Sequence, residues 1–146
     1  MISVAGSGSL LDMNEPMSNE TIIARFNDAF QRHDPSGLDS LIAPDCVMES
    51  VEPAPNGTRY EGKQACLAFW AALAADTAGA FQPEDVAVFG DRATIRWRYQ
   101  FGPTAADSVR GVNIMRMRDG QIVEALGYVK SGDAGVAQAI NNAMPA

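Results

Sequence analysis

The sequence predicts an α+β domain in which three N-terminal helices pack on a strongly curved, mostly antiparallel sheet. Three observations predict it. Apolar residues recur at helical spacing in three stretches before about residue 76. They alternate with polar residues in stretches at about 84–89, 92–101, 108–118 and 121–130. No Pro/Gly-rich linker divides the chain into two apolar halves, so one domain holds both kinds of element. A sheet with one apolar face buries it by curving over the helices, which leaves an open-ended cone.

The elements follow in order. Residues 1–18 are rich in Gly and Ser and carry no Lys or Arg, which predicts a disordered leader; Met17 is a plausible natural start. Ser18 or Asn19 caps a first helix in which Ile22, Phe26 and Phe30 recur every four residues. Asp34-Pro35 caps a short second helix with Leu38, Leu41 and Ile42 on its buried stripe, and Pro44-Asp45 ends it. Cys46–Val51 reads as a strand and 53–57 as a loop. A third helix from about Gly62 to Asp76 places Cys66, Phe69, Trp70 and Leu73 on one face, and Thr77–Gln82 reads as a connection.

The most informative stretch runs from Ala93 to Val129. Ile95, Trp97, Tyr99 and Phe101 alternate with Thr94, Arg96, Arg98 and Gln100, the period-2 pattern of a strand with one apolar face. Asp119-Gly120 fits a type I′ turn, whose two central residues need φ > 0. On the opposite face Val112 and Ile114 stand between Arg110 and Arg116, enough outward apolar surface to predict a homodimer. The domain is expected to span 19–131, and 132–146 to form a flexible C-terminal tail.

Composition narrows the function. A net charge of −7 over 146 residues disfavours nucleic acid and anionic membrane surfaces as partners. No run reaches the roughly 18–20 apolar residues that span a bilayer, and a cytoplasmic location is expected. Cys46 and Cys66 have neither CxxC nor Cys/His spacing, and His33 is the single histidine, so neither a metal nor another cofactor is expected.

The runs RFNDAFQRHDPSGLDSLIAPDCVMES, TRYEGKQACLAFW and VNIMRMRDGQIVEALGYV resemble the NTF2-like (cystatin-like) superfamily, which includes ketosteroid isomerases and SnoaL-like polyketide cyclases. The resemblance covers about Asn19 to Lys130. It implies a cone-shaped α+β domain, and, because this superfold hosts many activities, it implies no single reaction. Ketosteroid isomerases place a carboxylate base, a tyrosine and a protonated aspartate in the cone, a system often cited for pKa tuning. Laid along this chain, those positions fall on Ser50, Phe26 and Asn113. Only Asn113 keeps a neutral donor. SnoaL-like cyclases, which enolise carbonyl compounds in an apolar cone, are the better general match.

Candidate site residues follow from the faces of these elements. Asn113 is the polar group expected to touch a ligand carbonyl. Glu52, in the loop, Glu49, in the first strand, and Glu124, in the last, are the candidate proton carriers. Phe26, Met48, Ser50, Phe69, Trp70, Trp97, Tyr99, Met115 and Tyr128 are the candidate walls. The last strand leaves two possibilities open: either Ala125, Gly127 and Val129 face inward and make space, or Glu124, Leu126, Tyr128 and Lys130 do. The expected ligand is a small, apolar, ring-containing molecule. Cofactor-free proton transfer at its carbonyl, in the isomerase, cyclase or dehydratase class, stands beside two alternatives: a non-catalytic binding or sensing module, and a structural dimerisation domain.

Overall fold

The structure, a computed structural model, describes residues 17–130 and 134–144. The leader expected over 1–18 therefore lies outside the described residues apart from its last two. Helix α1 spans Asn19–Gln31. The Ser18 side chain accepts from the Thr21 backbone N–H at 3.2 Å, and Ile22, Ile23, Phe26, Ala29 and Phe30 form the buried stripe. Helix α2 spans Lys63–Ala75, an alanine-rich run of good helix formers that buries Cys66, Trp70 and Ala74 at four-residue intervals. A third helix, α3, covers Ala134–Ala143 within the expected tail.

The predicted short second helix is corrected to two 3₁₀ turns, Pro35–Gly37 and Asp39–Leu41. Two α-helices, not three, thus precede the main strands. Pro35, Ser36, Gly37 and Ser40 are poor helix formers. Leu38 and Leu41, three apart, both become buried on one side of a three-residue turn. The Asp34 side chain accepts from the Ser36 N–H at 3.0 Å, and the Ser36 hydroxyl first, then that N–H, hold the carboxyl below the usual range.

Six strands form one mixed sheet: β1 (Ile42–Glu49), β2 (Arg59–Glu61), β3 (Ala80–Phe89), β4 (Arg92–Gln100), β5 (Ser108–Arg118) and β6 (Gln121–Val129). Their order is β2-β1-β6-β5-β4-β3. β1 runs parallel to β6, with Met48 opposite Ala125, and the other neighbours are antiparallel. Asp119 (φ 53°) and Gly120 (φ 81°) both take the positive φ that the β5–β6 turn demands.

β1 begins four residues before the expected start, because Pro44 and Asp45 lie exposed within the strand rather than ending a helix. β3 begins at Ala80, where a connection was expected. Pro83 is tolerated because β3 is an edge strand that pairs only with β4, and because the register shifts between Pro83 and Asp85, a setting that accepts a residue without an N–H. The core lies between the two helices and one sheet face. Ile22, Ile23, Ile42, Met115, Met117 and Ile122 are among its fully buried members.

Candidate functional site

A pocket of about 100 Å³ opens between α1, α2 and the inner face of the sheet. Its wall is an unbroken arc of aromatic rings. Trp70 of α2 meets Phe26 edge-on at 5.0 Å, and Phe26 meets Phe30 at 4.9 Å. Phe30 meets Phe81 at 5.8 Å, and Phe81 meets Trp97 edge-on at 5.4 Å. The edge contacts are the arrangement ring quadrupoles favour, so the arc is stiff as well as apolar.

Two glycines make room for the polar end of the arc. Gly111 lies directly across from Trp97, and a Cβ on it would stand 2.4 Å from the indole ring and from the Tyr128 carbonyl oxygen. The ring can therefore lie over Gly111 and reach the next inward residue of β5, Asn113. The Trp97 Nε1–H donates to Asn113 Oδ1 at 3.1 Å. Asn113 is flanked by Ile95 on β4 and by Gly127 on β6, where the missing side chain leaves space beside the amide.

That bond decides how the amide points. An indole nitrogen only donates, so the atom facing it must be the carbonyl oxygen. The Asn113 NH₂ then turns the other way, and among the described residues it donates to no protein atom. Among the described residues no Lys, Arg or His lines the pocket, and Glu49 is the one ionisable residue that does.

The structure settles the open question of the last strand. Ala125 and Gly127 border the pocket. Glu124 faces away and sits 3.7 Å from Arg116, while Tyr128 is 53% exposed on the outer face. Neither meets the inner pocket. Of the other carboxylates, Glu52 is exposed in the loop and does not border the pocket, its backbone oxygen accepting from Ser50 and Thr58. Glu49 borders the pocket, but strand alternation puts its side chain on the outer face beside Leu126, where its carboxylate lies 3.3 Å from Arg59, which also holds Glu61 at 2.9 Å. Both carboxylates raise the Arg59 guanidinium, Glu61 more strongly.

Ser50, at the position where the family resemblance implies a base, is occupied otherwise. Its Oγ donates to the Glu52 carbonyl at 2.9 Å and accepts from the Thr58 N–H at 3.2 Å, while its own N–H donates to the Thr58 oxygen at 2.9 Å. The hydroxyl staples the loop that carries Val51 to the pocket rim. Gly57 is packed against it: φ is +74°, and a Cβ would meet the Ser50 oxygen at 1.7 Å.

Phe26, Met48, Ser50, Phe69, Trp70, Trp97 and Asn113 thus come together around one pocket. Met115 is fully buried in the core, and Tyr99 packs against Phe81 at 4.4 Å without bordering the space. Phe101, expected on the same apolar face, lies beyond β4 and is 54% exposed. Sequence reasoning missed Phe81, hidden by the strand-breaking look of Pro83. It also missed Asn27 and Gln31, which border the pocket from α1. Their positions were readable, since each follows one of the apolar residues Phe26 and Phe30 by one position.

His33 lies outside the pocket. At φ 55° it ends α1, and its Nδ1 donates to the Ala74 carbonyl of α2 at 3.0 Å, joining the two helices. Cys46 and Cys66 are unpaired and fully buried, and burial pushes the Cys46 thiol up to about 12. Among the described residues no cluster of three His, Cys, Asp or Glu is placed to hold a metal, and no helix is long and apolar enough to cross a membrane.

This is the NTF2-like fold. Residues 23–125 match the model of the SnoaL-like domain, and the chain belongs to that family. It is similar to an NTF2-like protein of unknown function from Mesorhizobium loti, at 54% identity over 77% of this chain and 90% of that one, with a TM-score of 0.71. It is similar at 26% identity to a candidate polyketide cyclase from Sinorhizobium meliloti, over 80% of this chain and 97% of that one, TM-score 0.61. A candidate ketosteroid isomerase from Kribbella flavida shares the fold at 14% identity, over 77% of this chain and 78% of that one, TM-score 0.64. No curated protein sequence matches the chain.

Proposed function

We propose that this protein binds a small, ring-containing, uncharged molecule and holds its carbonyl oxygen with the Asn113 NH₂. One observation carries the reading: the Trp97–Asn113 bond takes up the amide oxygen of a pocket-lining residue and leaves its NH₂ with no acceptor among the described residues. An apolar cavity of about 150 Å³ accepts benzene, so about 100 Å³ plus the open mouth suits one ring rather than several. Similarity to a candidate polyketide cyclase supports a carbonyl-bearing ligand.

The test is a titration of ¹⁵N-labelled protein with acetophenone and with cyclohexenone, followed by NMR. Saturable shifts of the Asn113 side-chain NH₂, lost in Asn113→Leu while the remaining spectrum stays folded, support the reading. Binding that survives unchanged in Asn113→Leu removes the carbonyl anchor.

A second reading adds proton transfer next to that carbonyl, and a single observation favours it: Glu49 borders the pocket. As base its carboxylate would have to leave Arg59 and turn from the outer face, where Glu49 stands beside Leu126, to the pocket side. Deuterium uptake at the ketone α-position in D₂O, abolished by Glu49→Gln and by Asn113→Leu, supports catalysis. A bound ketone that exchanges no faster than in buffer leaves binding alone.

The outer sheet face is the proposed homodimer surface. Ile114 pairs across strands with Leu126, and Val112 with Tyr128, forming an apolar strip on that face.

A further inference from the structure

The Asn113 amide is one of three in this pocket. Asn27 and Gln31 border it from the facing helix, four residues apart and so on one row of α1, beside the apolar row of Phe26 and Phe30. Asn27 is half-buried, Gln31 is exposed, and neither side chain makes a hydrogen bond to another described residue. Two amides, each with donors and an acceptor, are thus presented to the same space from the wall opposite the sheet.

Charge adds a further restriction. Among the described residues no cation lines the pocket and its one ionisable lining residue is Glu49, and the whole chain carries a net charge of −7. An anionic ligand would lose its water without gaining a counter-charge.

We infer that the ligand is an uncharged, single-ring carbonyl compound with a second hydrogen-bonding group, such as a hydroxyl, at the end opposite its carbonyl. The carbonyl meets Asn113, the ring lies within the aromatic arc, and the second group meets Asn27 and Gln31. The assignment rests on the reading of Asn113 as the carbonyl anchor and adds the far end of the molecule.

Three probes test it by calorimetry on the full chain: acetophenone, 4′-hydroxyacetophenone and 4-acetylbenzoate. The hydroxylated ketone is expected to bind about five-fold tighter than acetophenone, the worth of one added net hydrogen bond. The carboxylate is expected to bind at least about ten-fold more weakly than acetophenone. In the double variant Asn27→Leu/Gln31→Leu, the ratio of the two ketones' affinities should fall to about one, whatever happens to the affinity for acetophenone itself, and unchanged near-ultraviolet circular dichroism reports an intact pocket. Equal affinity for the two ketones, a carboxylate that binds as well as either, or a hydroxyl gain that survives in the double variant overturns the inference and leaves the Asn113 anchor standing. If no probe binds, the anchor fails and this inference with it.

Discussion

The indole nitrogen of Trp97 stands 3.1 Å from Oδ1 of Asn113, so a residue that can only donate determines which half of an amide faces the pocket. The polarity of the site is therefore set one residue away from the residue that would touch a ligand. Trp97→Phe keeps a ring over Gly111 and removes the donor. It should weaken ketone binding several-fold, about 1 kcal/mol for one lost hydrogen bond, with a new chemical shift for the Asn113 NH₂. A variant that binds as tightly as the parent would show that the amide needs no such anchor.

Gly111 tests the same arrangement from the other strand. Its substitution by Ala drives a methyl to within 2.4 Å of both the Trp97 ring and a backbone oxygen, and the backbone cannot give way cheaply. Gly111→Ala should cost about 1–3 kcal/mol in urea unfolding and alter the near-ultraviolet circular dichroism of the tryptophans. Gly37, where a Cβ would meet nothing within 4 Å, is the control.

Ser50 holds the rim through its hydroxyl rather than through any acid–base property. Ser50→Ala leaves the Thr58 N–H without its side-chain acceptor, and should lower stability by about 1–2 kcal/mol. Amide hydrogen exchange should rise between 52 and 58 and stay unchanged in β4. Uniform exchange across the domain would mean that the hydroxyl supports the whole fold instead of the loop.

The buried thiol makes stability depend on alkali. Burial raises the Cys46 pKa from an ordinary 9.0 to about 12. Between those values the unfolded chain has released a proton that the folded chain retains, so stability is fully present below about pH 9 and falls as pH rises toward 12. The drop in urea midpoint between pH 8 and pH 10.5 should be larger for the parent than for Cys46→Ala/Cys66→Ala, which removes both of the coupled buried thiols. Parallel losses would assign the slope to other groups.

The apolar strip on the outer face gives the last test. Ile114→Glu should convert a dimer to a monomer in sedimentation velocity while leaving ketone binding intact, because Ile114 lies across the sheet from the pocket. A parent that already sediments as a monomer ends the dimer proposal.

The parts of this fold that could be read in advance are those governed by local rules. Alternation in β4 and β5 placed Ile95, Trp97, Asn113 and Met115 on the inner face, and Asp119-Gly120 announced its own turn. Helical spacing likewise put Phe26, Phe69 and Trp70 on inward faces. What could not be read depended on neighbours distant in sequence. Pro83 disguised β3 because nothing in the chain says which strand lies at an edge. The inward face of β6 was decided by the packing of Ala125 against β1 and by the space beside Asn113, and both faces of that strand carry apolar residues. Ser50 looked like a lost catalytic position, while its hydrogen bonds to Glu52 and Thr58 require the loop to be folded before they can be seen.

The parallel pairing of β1 with β6 has a consequence for how the chain matures. The β3–β4–β5 ladder can assemble from neighbouring hairpins as the polypeptide leaves the ribosome. β1, already synthesised, must wait for the most distant strand before its second edge is covered, since β2 offers it only three residues. Such long-range closure is slow, and an uncovered strand edge invites association with other chains. Synthesis halted before Gln121 would leave β1 exposed along that edge, and the pocket would lack the wall that Ala125 and Gly127 provide.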